Sequence, residues 1–188
     1  PERRVIDKAR NLVDWRNISI AEDRLSFLKS GMAITLNGIA QGEITDSICD
    51  LLQRNGIDNT LVNLGEFRGV GGHPDGRPWR IGVADPLKES GLLDTLEVKN
   101  QAVASSGGYG TPFDAKGNSH HLFDPQEGRP APFWAGVTVV AKRAAMADAL
   151  STALAVTPPE RAQDMVRACD DLKAILVAPD GAVTRIVS

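Results

Sequence analysis

The sequence predicts a single α+β domain, a mainly antiparallel sheet with packed helices. Three observations lead there. Strand-like segments outnumber helical ones, many neighbouring strands are joined by hairpin-type turns, and helices come at intervals rather than after each strand. The last argues against a doubly wound parallel fold. No repeat, low-complexity tract or linker interrupts residues 1–188, which read as one domain.

Taken in order, Val5, Ile6, Ala9 and Leu12 or Val13 recur at helical spacing and predict a helix over residues 4–15. "ISIAEDRLSFL" reads as two short strands around a turn at Glu22-Asp23, and "GMAITLN" as a strand bounded by Gly31 and Gly38. A helix follows from about Gln41 to Arg54, with Ile44, Ile48, Leu51 and Leu52 on one face and a stop at Asn55-Gly56. "NTLVNLGEFRGVGG" reads as one apolar strand breaking into glycines, and "RPWRIGVADP" as another, closed by Asp85-Pro86. "DTLEVKNQAVASSGGYG" gives two strands around Lys99-Asn100 and then a Gly-rich loop. "SHHLFDPQEGRPAP" reads as a short strand and a Pro/Gly turn, and "FWAGVTVVA" as a buried strand. An Ala-rich helix over 144–156, a second over 158–169 behind Pro158-Pro159, and a hairpin around Asp180-Gly181 complete the chain.

Apolar residues make up 42% and charged residues 24%, the profile of a soluble globular domain. The net charge of −3 and the scattered Lys and Arg argue against nucleic acid as a partner. No run of apolar residues is long enough to span a membrane. The first residues, "PERRVIDKAR", are charged and helix-like rather than a signal peptide, and a chain starting with Pro reads as a processed product or a piece of a longer protein. Cys49 and Cys169 have no CxxC partner, which excludes a cysteine zinc site and leaves two buried free thiols as the expectation.

Several segments carry residues fit for chemistry. Asp148 and Thr152 in "AAMADALSTALAV" project from one helix face. A carboxylate with a hydroxyl suits Mg²⁺, phosphates filling the remaining positions. Equally, Asp148 can offset the helix dipole and Thr152 bond back to a carbonyl. In "HHLFDPQEGRP", His120 and His121 alternate along a strand, so one can face a site as a general base, or both form a surface pair before a turn. "VASSGGYG" can hold a phosphate with backbone groups or be a plain loop, and Gly65 in "VNLGEFRGVGG" would let a ligand approach the backbone. His73 reads as a solvated loop residue. "LNGIAQGEITD" opens a helix behind small residues, where backbone N–H groups can meet an anion, yet it has neither the end of a Walker A loop nor a GxGxxG pattern.

Together these pieces resemble the ApbE family of FAD:protein FMN transferases. "TLNGIAQGEITD", "LVNLGEFRGVG", "GRPWRIGVADP", "VASSGGY", "HHLFDPQEGRPAP" and "VTVVAKRAAMADALSTAL" follow one another as that family's motifs do, from Gly31 to about Val156. The resemblance implies an ApbE-like, T-fold-related architecture. It implies an enzyme that binds FAD with Mg²⁺, cuts the pyrophosphate, moves FMN onto a Thr or Ser hydroxyl of an acceptor protein and releases AMP. By the same resemblance Asp148 and Thr152 are side-chain Mg²⁺ ligands, and the Ala40 carbonyl is a third. His121 lies near the reaction centre as base for the acceptor hydroxyl. Ser105, Ser106 and Gly107 stand at a turn beside the nucleotide, and Asp46 helps hold the adenosine half. Asn37 and Gln41 fall on cofactor-binding positions where the family usually has Asp and Lys, and "QEG" replaces "RTG". The lost Lys charge and the absent front favour one alternative, an FAD-binding protein without transfer; another, which some family members follow, is an FAD pyrophosphatase giving free FMN and AMP. Family members usually carry roughly a hundred further residues in front, including signal or lipoprotein sequences. The resemblance therefore implies a periplasmic or other extracytoplasmic location, with membrane anchoring through that front part.

Overall fold

Gly136–Ala141 is buried along its whole length, and the rest of the molecule is layered around it. The computed structural model describes residues 2–88, 90–110, 113 and 119–188. In it the strands β3 (Thr60–Asn63), β4 (Phe67–Val70), β7 (Gln101–Ser106), β10 (Gly136–Ala141), β11 (Lys173–Val177) and β12 (Val183–Val187) form one six-stranded sheet. Its order is β12-β11-β10-β7-β4-β3, and every pairing is antiparallel. The mixed, mainly antiparallel architecture predicted from the sequence is thus the one observed.

Side chains alternate across a strand, and β10 shows what each side meets. Val137, Val139 and Ala141 face α3 (Ala144–Ala155) and α4 (Pro159–Arg167), packing with Ala102, Ala104, Ala147, Leu154 and Val166. Val140, with Val103 of β7, faces Ile81 and Val98 on a separate hairpin, β5 (Trp79–Ala84) with β6 (Leu92–Val98). The sheet is therefore sandwiched between helices and a hairpin. Consecutive strands β6 and β7, joined at Lys99-Asn100, lie in different layers and do not pair with each other.

α2 (Ala40–Arg54) differs from its predicted orientation. Ile44, Ile48 and Leu51 stay exposed, while Gly42, Thr45, Asp46 and Cys49 are buried. The reason is how the helix docks. A Cβ at Gly42 would collide with the Ala144 carbonyl, so the glycine side alone can approach the start of α3. Cys49 and Leu52 then reach Val62 and Val70 beneath. The isoleucine face looks outward.

Four other expectations are corrected. "GMAITLN" is not a strand; Ile34 and Leu36 are exposed, and no described segment takes its backbone groups as a strand partner would. "NTLVNLGEFRGVGG" is two strands, β3 and β4, folded about Leu64–Glu66, where Gly65 adopts φ 109°. The first helix, α1 (Arg3–Arg10), ends short of residue 15, because Asp14 accepts the Arg16 N–H and starts a short 3-10 turn. The small ladders β1 (Ile18–Ile20) with β2 (Leu25–Phe27), and β8 (Phe123–Asp124) with β9 (Arg129–Pro130), close where turns were predicted. His120 and His121 precede β8 rather than alternate within it. Among the described residues no helix is long and apolar enough to cross a membrane.

Candidate active-site cleft

The end of β7, the entry to α2 and the exposed edge of α3 meet around a cleft of about 490 Å³. Asp148 and Thr152 are one helical turn apart on α3, and both line it. Asp148 is 95% buried, from a relative exposure of 5%. Its Oδ2 accepts the Gly42 N–H at 2.9 Å, so a carboxylate on α3 caps the positive end of α2. Burial pushes its pKa up, against the opposing effect of that N–H. The Thr152 hydroxyl lies 3.3 Å from Ser106 Oγ, which is 2.7 Å from Ser151 Oγ. The backbone of Gly38 passes close enough that a Cβ there would stand 3.2 Å from Thr152.

Ser105 and Ser106 part company, as neighbours on a strand must. Ser106 points at α3, whereas the Ser105 hydroxyl bonds Thr138 Oγ1 at 2.9 Å on the hairpin side of the sheet. Both still border the cleft, as do Asn37, Gln41, Gly107 and the exposed His121. Gln41 lies along the β3–β4 turn, its Nε2 donating to the Leu64 carbonyl at 3.4 Å. Ala40 is the first residue of α2, adjoining the cleft through Gln41 without lining it. His120 turns inward against Gly108, and burial lowers its pKa.

Asp46 does not reach the cleft. It is wholly buried beneath α2. Its carboxylate accepts from Arg68 Nη1 at 2.9 Å, Arg143 Nε at 3.1 Å, and the Ala144 and Ala145 N–H groups at 2.9 and 3.0 Å. It caps α3 and clamps the two helices, which accounts for all its lone pairs and leaves nothing for an adenosine.

Sequence reasoning missed Glu66. This residue is 8% exposed and lines the cleft beside Ser105. Burial first, then the charge of Asp148, raises its pKa to about 7. Its signal was a lone acid between the apolar ends of two strands, directly after the positive-φ Gly65. Tyr109, also on the cleft, has its phenol pKa raised by burial and secondarily by Glu66.

The polar donors around Asp148 are carboxylate, hydroxyl and carboxamide oxygens, the set Mg²⁺ prefers. Among the described residues no three His, Cys, Asp or Glu side chains cluster as an all-protein metal cage. No Lys or Arg lines the cleft among the described residues.

The profile of the ApbE family matches residues 1–176. This chain belongs to the ApbE family. Similar curated ApbE relatives include the FAD:protein FMN transferase of Escherichia coli (strain K12), 31% identical over 154 residues, covering 79% of this chain and 43% of the relative. That of Vibrio cholerae is 32% identical over 172 residues, covering 89% and 52%. The chain thus spans about half the length of these relatives. Among solved structures, the ApbE protein from Thermotoga maritima superposes with a TM-score of 0.86 at 31% identity, covering 99% of this chain and 62% of that one. The Pseudomonas stutzeri flavinyl transferase ApbE, apo form, gives 0.81 at 32% identity, covering 99% and 58%.

Proposed function

We propose that this chain carries the FAD-cleaving site of a Mg²⁺-dependent flavin transferase, which moves FMN from FAD to a Thr or Ser hydroxyl of an acceptor protein and releases AMP. The observation that carries the proposal is the pairing of buried Asp148 with Thr152 in a cleft bordered by oxygen donors and by the start of α2. The names of the relatives supply the flavin chemistry.

In this reading Asp148 and Thr152 hold the cation, with the Ala40 carbonyl close by in sequence to Gln41 on the wall. When bound, Mg²⁺ offsets the diphosphate charge and polarises its oxygens. The acceptor hydroxyl forms a new bond to the FMN phosphorus, while the bond from that phosphorus to the AMP oxygen breaks. The hydroxyl proton passes to His121, which stands exposed on the rim where a protein substrate can reach it. Asn37, Gln41 and the Ser105–Gly107 turn provide neutral hydrogen-bonding groups that orient the nucleotide. An extracytoplasmic site of action is part of the proposal and rests on the family resemblance alone.

The test is AMP release from FAD with and without Mg²⁺, read by chromatography, with Asp148→Ala alongside. Metal-dependent AMP that disappears in the variant supports the reading. FMN found on an acceptor protein marks a transferase, and FMN found free marks a pyrophosphatase. FAD binding with no AMP leaves a flavin-binding protein.

A further inference from the structure

The protein treats its buried acids in two ways. Asp46, with no exposed surface, is matched by two guanidinium groups and two helix N–H donors. Glu66 and Asp148 are almost as deeply buried, yet neither takes part in an ion pair among the described residues, and Asp148 has the Gly42 N–H as its backbone donor. A buried carboxylate without a counter-charge is costly. The cleft supplies none: Gln41, the long side chain nearest the Gly65–Glu66 turn, is a neutral amide already bonded to the Leu64 carbonyl. A diphosphate entering the same space adds more negative charge. A cation from solution would supply the missing counter-charge.

We propose that Glu66 is a second carboxylate ligand of the divalent cation in this cleft, acting with Asp148 and Thr152. The inference rests on the cation-dependent reading given above and deepens it. The motif that carries Glu66 comes from the β3–β4 turn, so the cation would bridge that turn to α3. The two carboxylates neutralise a divalent ion fully, which lets the cleft hold it before any nucleotide arrives. A cleft with Asp148 alone would depend on the phosphates for tight cation binding.

The experiment is a calorimetric titration of Mn²⁺ into the nucleotide-free protein at pH 8, for wild type, Glu66→Gln, Glu66→Asp and Asp148→Asn. Thermal melting with and without Mn²⁺ verifies that each variant is folded. The proposal expects Glu66→Gln to weaken Mn²⁺ binding at least tenfold and to lose most of the Mn²⁺-induced rise in Tm, while Glu66→Asp recovers part of both. Should Glu66→Gln bind Mn²⁺ as wild type does while Asp148→Asn loses it, Glu66 is not a ligand and the functional reading stands. Should wild type itself take up no Mn²⁺, with or without FAD, both fall together. If Glu66→Gln does not fold, Glu66→Asp decides: wild-type affinity with the shortened side chain overturns direct ligation.

Discussion

Asp148 Oδ2 accepts the backbone N–H of Gly42 at 2.9 Å across 106 positions of sequence. One carboxylate thus closes the first turn of α2 and also lines the cleft, so two roles can be separated by substitution. Asp148→Asn keeps an oxygen acceptor for Gly42 and loses the charge, whereas Asp148→Ala loses both. Melting curves should place the Asn variant above the Ala variant by about 1 kcal/mol, the usual worth of a helix cap. AMP release should fall roughly 100-fold or more in both, as loss of cation binding demands.

Gly42→Ala tests the docking of α2. The added methyl meets the Ala144 carbonyl, which is backbone and cannot swing aside. Overpacking of this kind costs about 1–3 kcal/mol, and a chain of this size loses roughly 2–4 °C of Tm per kcal/mol. A melt within about 1 °C of wild type would show that the helices are further apart than described.

Asp46→Ala strips the buried partner from Arg68 and two N–H groups from their acceptor. Urea unfolding should show a loss of about 3–5 kcal/mol, the range for breaking a buried ion pair from one side. The effect belongs to the fold: it should appear equally in the absence of FAD and of divalent cations.

Glu66 makes stability depend on pH in a defined direction. Its pKa is about 7 in the fold against an ordinary 4.5. Between those values the native state holds a proton that the unfolded state has released, so the contribution is complete below 4.5 and is lost as pH rises through 7. Asp148, shifted upward by burial, adds to the same trend. Denaturant midpoints measured without divalent cations should decline from pH 5 to pH 8, and Glu66→Gln should flatten that decline. A midpoint that instead rises over this window would contradict the burial of Glu66.

His121→Ala should lower FMN transfer by roughly 10²–10⁴-fold, the usual contribution of a general base. Mn²⁺ affinity should not change, because the histidine lies on the rim and not among the proposed ligands. A variant with full transfer activity would remove His121 from the reaction.

The order of motifs brought forward residues that the fold places together. Asp148, Thr152, Ser106, Gln41 and His121 do border one cleft, and the hairpin at Asp180-Gly181 and the buried strand "FWAGVTVVA" were legible from periodicity and turn residues. What escaped depended on depth and partner choice. Nothing local distinguishes Asp46, which closes a helix 98 positions away, from an acid facing a ligand. Nothing in the apolar pattern of α2 says that its glycine side docks and its isoleucine side does not, because that is fixed by the approach of α3. "GMAITLN" has strand composition but no neighbour among the described residues to pair with, and propensity without a partner does not make a strand. The split of Ser105 from Ser106 follows from strand alternation, yet only the layers on either side tell which hydroxyl meets which chemistry.

The long reach between Gly42 and Asp148 also bears on how the molecule comes together in time. β3–β4, β5–β6 and β11–β12 each close over short loops, while the cleft requires the front quarter of the chain to find a helix that begins at residue 144. Distant contacts of that kind repay their loop entropy late. Ligand competence should therefore be among the last properties gained on refolding, trailing the far-ultraviolet signal of helices and hairpins. Of all the observables of this protein, cation uptake would be the most sensitive reporter of a chain that is nearly, but not fully, native.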